Sequence, residues 1–318
     1  MTAAVPDLGP LDIRQIIQIS FLLAASTILF FSSLPSLKSR FVTYGSRATS
    51  VNNTEGPRPE HDLPKSHTRS SWSEAVLDCV TNLQVPHGWF LHFYVVSVLC
   101  SLFWGIQIIF RTSLLVVVCE NAGAGRTLSM NQLALMWTLM AVQGLRRLVE
   151  SILLGKSSAS KMWFVHWILG VLFYAAMSIA VWIEGAETLL RSQSPLKDIT
   201  ITAPSIRTMI GLPLFLLASG IQNDCHTYLA SLPKYTLPDH PIFHTMVCPH
   251  YAAESIIYLS LAILGAPEGA WMNRTVFTAL VFVACNLAIT ASTTKEWYMA
   301  KFGREKVEYR WKMIPFVF

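Results

Sequence analysis

Charged residues are scarce in this sequence. Asp, Glu, Lys and Arg make up 14% of its 318 residues, where soluble globular proteins carry roughly 25%. Hydrophobic residues reach 53% and mean hydropathy is +0.44. A soluble single domain, a disordered chain and a collagen-like fibre are therefore excluded. Paired cysteine motifs are missing as well. Cys79, Cys100, Cys119, Cys225, Cys248 and Cys285 form no CxxC, and four of them lie in or beside apolar stretches. They read as buried or lipid-facing thiols, with neither a disulfide framework nor a zinc site. There is no P-loop and no GxSxG, and Gly123-Ala124-Gly125 lacks the third glycine of a GxGxxG turn. His240-Pro241-Ile242-Phe243-His244 has HxxxH spacing, but Pro241 sits inside it and no second box of close histidines accompanies it, so no metal site is expected. No internal repeat is found, which gives repeat-built transporter folds no support.

What is abundant is long apolar sequence. A bilayer core needs about 20 apolar residues in a helix, and runs of that kind recur at Ile16–Leu34, Gly88–Phe110, Thr127–Leu145, Met162–Ile183, Thr208–Asn223, Tyr251–Ala266 and Thr275–Thr294. The expectation is an all-α integral membrane protein with seven transmembrane helices and its two termini on opposite sides. Arg14 before the first run, with no small-residue cleavage site after it, favours a retained span over a removed signal peptide. Alternating the loops puts 17 of the 24 basic residues on one side, so that side is expected to be cytosolic. It carries the C-terminus and the loop 38–87. That loop is the only long polar insert, rich in Pro, Ser and charge, and is expected to be extended and partly disordered. The chain 1–318 then reads as one membrane domain, with 295–318 a cytosolic C-terminal segment. Asn52-Asn53-Thr54 is a glycosylation sequon by letter but faces the cytosol on this topology.

Polar groups at membrane depth are expensive, so each is a functional candidate. Trp89-Phe90-Leu91-His92-Phe93-Tyr94 places two proton-capable groups, His92 and Tyr94, at a cytosolic interface; it reads equally as an aromatic belt. In Gln143-Gly144-Leu145-Arg146-Arg147-Leu148-Val149-Glu150, Glu150 lies three and four residues from the two arginines, so ion pairing runs along one helix face. That string is either a positive-inside stop or a pair that binds phosphate or orients substrate. Gln222-Asn223-Asp224-Cys225-His226 packs amide, carboxylate and imidazole into one turn, as a helix-end cap or as a site. Glu254 stands one turn into an apolar helix with His250 four residues earlier on the same face, and an unpaired acid there is costly. The tail from Trp297 to Phe318 alternates bases with aromatics, which suits an anchor on anionic lipid or a basic lid over an anionic cofactor.

Four of these strings occur together in one family. His92-Phe93-Tyr94, Leu145-Arg146-Arg147-Leu148 with Glu150, Pro249-His250-Tyr251-Ala252-Ala253-Glu254, and the ending Lys301-Phe302 … Tyr309-Arg310 … Ile314-Pro315-Phe316-Val317-Phe318 resemble the steroid 5α-reductase family, in its polyprenol/polyprenal reductase branch. They appear in the family's order from about residue 88 to the end. The resemblance implies a seven-helix fold with NADPH held at the cytosolic face of the endoplasmic reticulum membrane. Steroid-reducing relatives use a Glu in the second span and a Tyr in the third, and those places match Phe93 and Gln143. His92, beside the first, becomes the implied proton donor or carbonyl polariser, with Tyr94 as the alternative donor and Gln143 as a hydrogen-bonding assistant. The family's cofactor positions fall on Gln222, His226, His250, Glu254, Tyr298 and Arg310, and Arg146 adds a phosphate-binding guanidinium. Glu254, Tyr298 and Arg310 retain the family's residue types, whereas Gln222, His226 and His250 depart from them.

The implied substrate is a long-chain polyprenal or polyprenol, reduced at its α-isoprene double bond in dolichol synthesis for protein glycosylation, with membrane lipid as surroundings. Neither nucleic acid nor an obligate protein partner is called for. Chemistry favours the aldehyde. Hydride adds to a carbon–carbon double bond when an electron sink is attached, and an enal carries one whereas an allylic alcohol does not. The competing readings are a steroid or trans-2-enoyl reductase of the same fold, and a lipid transporter without chemistry.

Overall fold

In the computed structural model, residues 10–34, 83–125, 127–155 and 160–318 are described. The sequon at Asn52, Cys79 and residues 38–82 of the polar loop lie outside them. Helices dominate. They are α1 (Ile13–Ser33), α2 (Leu91–Phe110), α3 (Ser113–Glu120), α4 (Met130–Leu153), α5 (Phe164–Ala180), α6 (Ala186–Arg191), α7 (Ile206–Ser231), α8 (Pro241–Thr245), α9 (Pro249–Leu264) and α10 (Arg274–Phe302). A short antiparallel pair, β1 (Gln84–Pro86) with β2 (Lys161–Trp163), sets Val85 opposite Met162 and ties the start of α2 to the start of α5.

Among the described residues, four segments are long and apolar enough to cross a membrane: Ile13–Ser33, His87–Phe110, Phe164–Arg191 and Arg274–Phe302. The remaining expected spans fall on α4, α7 and α9, which carry most of the polar clusters. Two of these helices run past the apolar stretches that announce them. α4 continues two turns beyond Leu145, so Arg146, Arg147 and Glu150 stand on a helix face rather than in a loop. α7 has 26 residues, about 39 Å at 1.5 Å per residue, and absorbs Pro213 in its interior.

Local signals explain the starts. Asp12 and Gln15 close a capping box on α1, and Ser129 and Gln132 close another on α4. Ser205 caps α7 and Asn273 caps α10, while Pro249 takes the first position of α9, where its missing N–H costs nothing. α10 stops at Gly303, whose φ of 99° lies in the region that favours glycine.

The helices pack as neighbours: α7 along α9, α1 along α10, α2 against α4 and α5, and α9 against α10. Trp182, Phe215, Met136 and Met177 fill the centre, and exposed Leu23, Phe30, Leu102, Leu172, Leu216 and Leu217 give the flanks an apolar surface. Two glycines set close approaches. A Cβ on Gly144 would stand 2.6 Å from Ser97 Oγ, and one on Gly170 would stand 2.5 Å from the Phe93 ring. α4 and α5 therefore both lie tight against α2. At the far end, buried Glu184 accepts from Thr275 N at 2.8 Å and Thr275 Oγ1 at 2.9 Å, pinning the first turn of α10.

The C-terminal residues fold back on the segment before α9. Trp311 N donates to Thr245 O at 2.8 Å, Val247 N to Trp311 O at 2.7 Å and Cys248 N to Lys312 O at 3.0 Å. Lys295 Nζ holds the same strap through Glu308 O and Arg310 O at 2.7 and 2.6 Å. This strap fixes where α9 begins, and hence where His250 and Glu254 stand.

Candidate active site

Up-and-down packing brings the start of α2, α5 and α9 to the same end of the bundle as the end of α4 and the second half of α7. The lining residues of each element recur at i, i+4 spacing, which stacks them on one face. Phe90 immediately precedes α2 and Tyr94 lies in its first turn, His166, Gly170 and Tyr174 come from α5, Gln222 and His226 from α7, His250, Glu254 and Tyr258 from α9, and Asn286 and Thr290 from α10. All of them, with Arg147 of α4, line one cavity of about 270 Å³. One wall is aromatic, built from Phe93, Phe173, Tyr174 and Tyr258. The other is a hydrogen-bonded network.

Arg147 is the network's reach into the cavity. Its Nη2 donates to Tyr94 Oη at 2.7 Å, and its guanidinium lies 4.8 Å from the centre of the Tyr94 ring. Its Nη1 donates to Glu150 and lies 2.6 Å from His226 Nδ1. His226 Nδ1 is also 2.9 Å from Glu150 Oε2, so it accepts from Arg147 when unprotonated and donates to Glu150 when protonated. Asn223 Nδ2 donates to Glu150 Oε1 at 2.8 Å. Arg146 reaches Glu150, Gln222 and, at 2.9 Å, Gln143 Oε1. Gln143 Nε2 donates to Gln222 Oε1 at 3.2 Å, and Gln222 in turn donates to Glu254. Gln222 is 2% exposed; its Oε1 accepts from Gln143 and Arg146 and its Nε2 donates to Glu254. Two arginines face two glutamates, and the charges balance. Two atoms of this region, Arg146 Nε and His250 Nδ1, are buried without a hydrogen-bond partner, and the His250 ring lies 5.5 Å from that of His226.

The residues singled out in the sequence separate into three groups. Tyr94, Gln222, His226, His250 and Glu254 line the cavity. Gln143 and Arg146 stand behind it and hold Gln222. His92, Tyr298 and Arg310 are not among the residues that line it. His92 packs 5.2 Å from Trp89 and 6.0 Å from Trp167, on the other side of α2 from Tyr94. Consecutive helix residues diverge by about 100°, so His92 and Phe93 cannot both share the face of Tyr94. Arg310 is 5% exposed, and its Nη1 donates to Pro238 O and Phe243 O, both at 3.1 Å, as a strut inside the strap. Tyr298 packs beside Trp297 and Phe302.

Arg147, weighed in the sequence only as part of a phosphate-binding or substrate-orienting pair, lines the cavity, and Tyr174, Tyr258, His166 and Asn286 enter it without having been singled out. Tyr258 continues the His250–Glu254 spacing by one more turn, and His166, Gly170 and Tyr174 repeat it on α5. That stripe was the available signal; within an apolar helix a tyrosine reads as packing until its neighbours are known.

Comparison with known proteins gives the arrangement its context. A sequence model of the family described as 3-oxo-5-alpha-steroid 4-dehydrogenase matches residues 160–318, from β2 to the end of the chain. A protein named polyprenal reductase 2 from rice (Oryza sativa subsp. japonica) is 28% identical over 306 residues, covering 80% of this chain and 84% of its own. The polyprenal reductase of Saccharomyces cerevisiae is 28% identical over 255 residues, covering 80% and 82%. That of Xenopus tropicalis is 28% identical over 265 residues, covering 74% and 80%. With half of its length matched by that model, including the α7–α9 half of the cavity, this membrane-helical chain belongs to the 3-oxo-5-alpha-steroid 4-dehydrogenase family.

Proposed function

We propose that this protein is a polyprenal reductase that uses NADPH to saturate the α-isoprene double bond of a long-chain polyprenal. One observation carries the reading: a cavity inside an apolar bundle has an aromatic wall and, facing it, Arg147 bonded to the Tyr94 hydroxyl. The curated relatives that bear that name cover four-fifths of the chain.

The residues fit a nicotinamide. The aromatic wall suits a flat ring, and the unpartnered His250 Nδ1 is an orphan polar atom of the kind a carboxamide satisfies. His250, Glu254, Gln222 and His226 are the groups that would hold it. When bound, the reduced nicotinamide supplies the hydride that adds to the β carbon of the enal. As that bond forms, the C=C pair moves toward the carbonyl and charge grows on the aldehyde oxygen. Tyr94 is the group we assign to that oxygen. Its O–H donates there, and the Arg147 guanidinium on the same oxygen atom stabilises the negative charge that a departing proton leaves. A proton then reaches the α carbon as the enol oxygen returns its proton to Tyr94, so one hydride and one net proton account for the saturated bond. Tyr94 replaces His92 in this role because His92 lies outside the cavity. Gln143 and Arg146 serve by fixing Gln222. The burial of the site keeps water from the transient enolate.

A long isoprenoid tail requires an apolar way out. A second cavity of about 110 Å³ shares His166, Leu169, Asn286 and Thr290 with the first. Thr27, Ile28 and Phe31 of α1, Trp163 of β2, Val165 of α5 and Ile289 of α10 complete it. It offers the tail a path between helices toward lipid. The same reading expects a single membrane domain of seven spans in the endoplasmic reticulum, with the C-terminus and the cofactor entrance in the cytosol, where most of the basic residues fall.

The test is the purified chain in nanodiscs with NADPH, given polyprenal and polyprenol side by side. The reading expects NADPH oxidation and a saturated aldehyde from polyprenal, and no turnover of the alcohol. Turnover of a steroid enone with polyprenal untouched would select a steroid reductase, and no NADPH binding would select a lipid carrier.

A further inference from the structure

We infer that Glu150, which lies outside the cavity, is the positioning residue that aims Arg147 at Tyr94; the inference rests on the role proposed for Tyr94. Glu150 is 6% exposed and accepts from three donors, with His226 Nδ1 a fourth contact that donates when protonated. Arg146 and Arg147 come from its own helix, and Asn223 and His226 from α7. Both of its oxygens are engaged by this set, and it is not among the residues that line the cavity. Its action must therefore pass through a neighbour.

Arg147 is that neighbour. A guanidinium is a rigid planar fork. With Nη1 fixed on Glu150 Oε2, the direction of Nη2 is fixed as well, and Nη2 is the nitrogen on Tyr94 Oη at 2.7 Å. Among the described residues no other carboxylate pairs with Arg147: Glu254 is engaged with Gln222. Glu150 also supplies the negative charge that lets two arginines stand this deep. Removing one member of a buried ionic set leaves the others uncompensated. Without Glu150, Arg147 keeps its charge but loses its anchor, and the phenol loses a donor held at a fixed angle. A purely structural account assigns Glu150 a different task, the clamping of α4 to α7 through Asn223 and His226. The two accounts differ in what they predict for a protein that is still folded.

Glu150→Asp tests this best, because it keeps the charge and withdraws it by one methylene. Thermal melting first establishes that the variant is folded. In the wild-type background kcat should fall about 10- to 100-fold, as expected when a supporting partner is misplaced, with KM for the enal and for NADPH within about threefold. In a Tyr94→Phe background the same substitution should change kcat by less than about twofold, because its route of action is already gone. Glu150→Gln should show the same coupling to Tyr94→Phe with a larger loss. A wild-type kcat in Glu150→Asp would overturn the assignment, as would full multiplication of the two losses. A density map of Glu150→Asp gives a readout that needs no substrate: Arg147 should be turned away from Tyr94. If Arg147 remains on the hydroxyl, the inference fails even though the reductase reading stands. Failure of the wild-type chain to reduce polyprenal would remove that reading and leave the map to decide the placement.

Discussion

Replacing Tyr94 by Phe removes one oxygen atom and little else. The ring keeps its edge contact with Tyr174, whose centroid is 5.6 Å away, and its place under the Arg147 guanidinium. The hydrogen bond lost is charge-assisted, worth about 1.5–3 kcal/mol net. Arg147 retains Glu150 and the contact with His226, so the loss of folded-state stability should not exceed about 3 kcal/mol. Turnover should fall as well. If the hydroxyl is the donor at the developing oxyanion, its removal should cost about 10²- to 10³-fold in kcat, as removal of a comparable donor does elsewhere. The assay is NADPH oxidation at saturating polyprenal in nanodiscs, with melting temperature measured on the same sample. His92→Phe is the matched control. Its ring lies between Trp89 and Trp167, outside the cavity, so an aromatic replacement should leave kcat within about threefold of wild type. Near-wild-type turnover in Tyr94→Phe, or a crippled His92→Phe, would refute the placement of the donor on the Tyr94 face of α2.

Two further substitutions test the frame around the site. Gly170→Ala would put a methyl group 2.5 Å from the Phe93 ring; the ring must swing toward the cavity or α5 must back away, and kcat/KM for polyprenal should fall while Glu254 and Gln222 keep their bond, as a density map would show. Glu184→Ala strands Thr275 N and Oγ1 at the other end of the bundle; unfolding stability should drop by about 1–3 kcal/mol, read as a lower melting temperature, while kcat below that temperature is unchanged.

Much of this site is legible from spacing. Arg146, Arg147 and Glu150 lie at i+3 and i+4 intervals, and His250 and Glu254 at i+4, so each pair must share a helix face wherever the helix goes. Membrane burial makes such groups conspicuous, because nothing else in an apolar run pays for them. What spacing cannot supply is the phase of one helix against another. His92 and Tyr94 sit two residues apart in the same aromatic string, and only the packing of α2 on α4 and α5, set by Gly144 and Gly170, decides which of them faces Arg147. The same limit hides Arg310. A guanidinium in an aromatic, basic tail suits a phosphate as well as it suits backbone carbonyls, and its actual partners, Pro238 and Phe243, are about 70 residues away in sequence. Tyr174 and Tyr258 were hidden for a different reason. Their hydroxyls are compatible with ordinary core packing, and they join the site only because α5 and α9 meet at the cavity. The reach of α4 and α7 beyond their apolar stretches is likewise a matter of tertiary contact, since the network itself supports those last turns.

The central claim is that a hydride enters this cavity at the β carbon of an enal. It is tested most directly by tracing the label from NADPH deuterated at both C4 positions during a single turnover of polyprenal. The account predicts one deuterium on the β carbon of a saturated aldehyde, with the α-carbon hydrogen drawn from solvent. Deuterium on the carbonyl carbon of an unsaturated alcohol, or a product free of label, would contradict it.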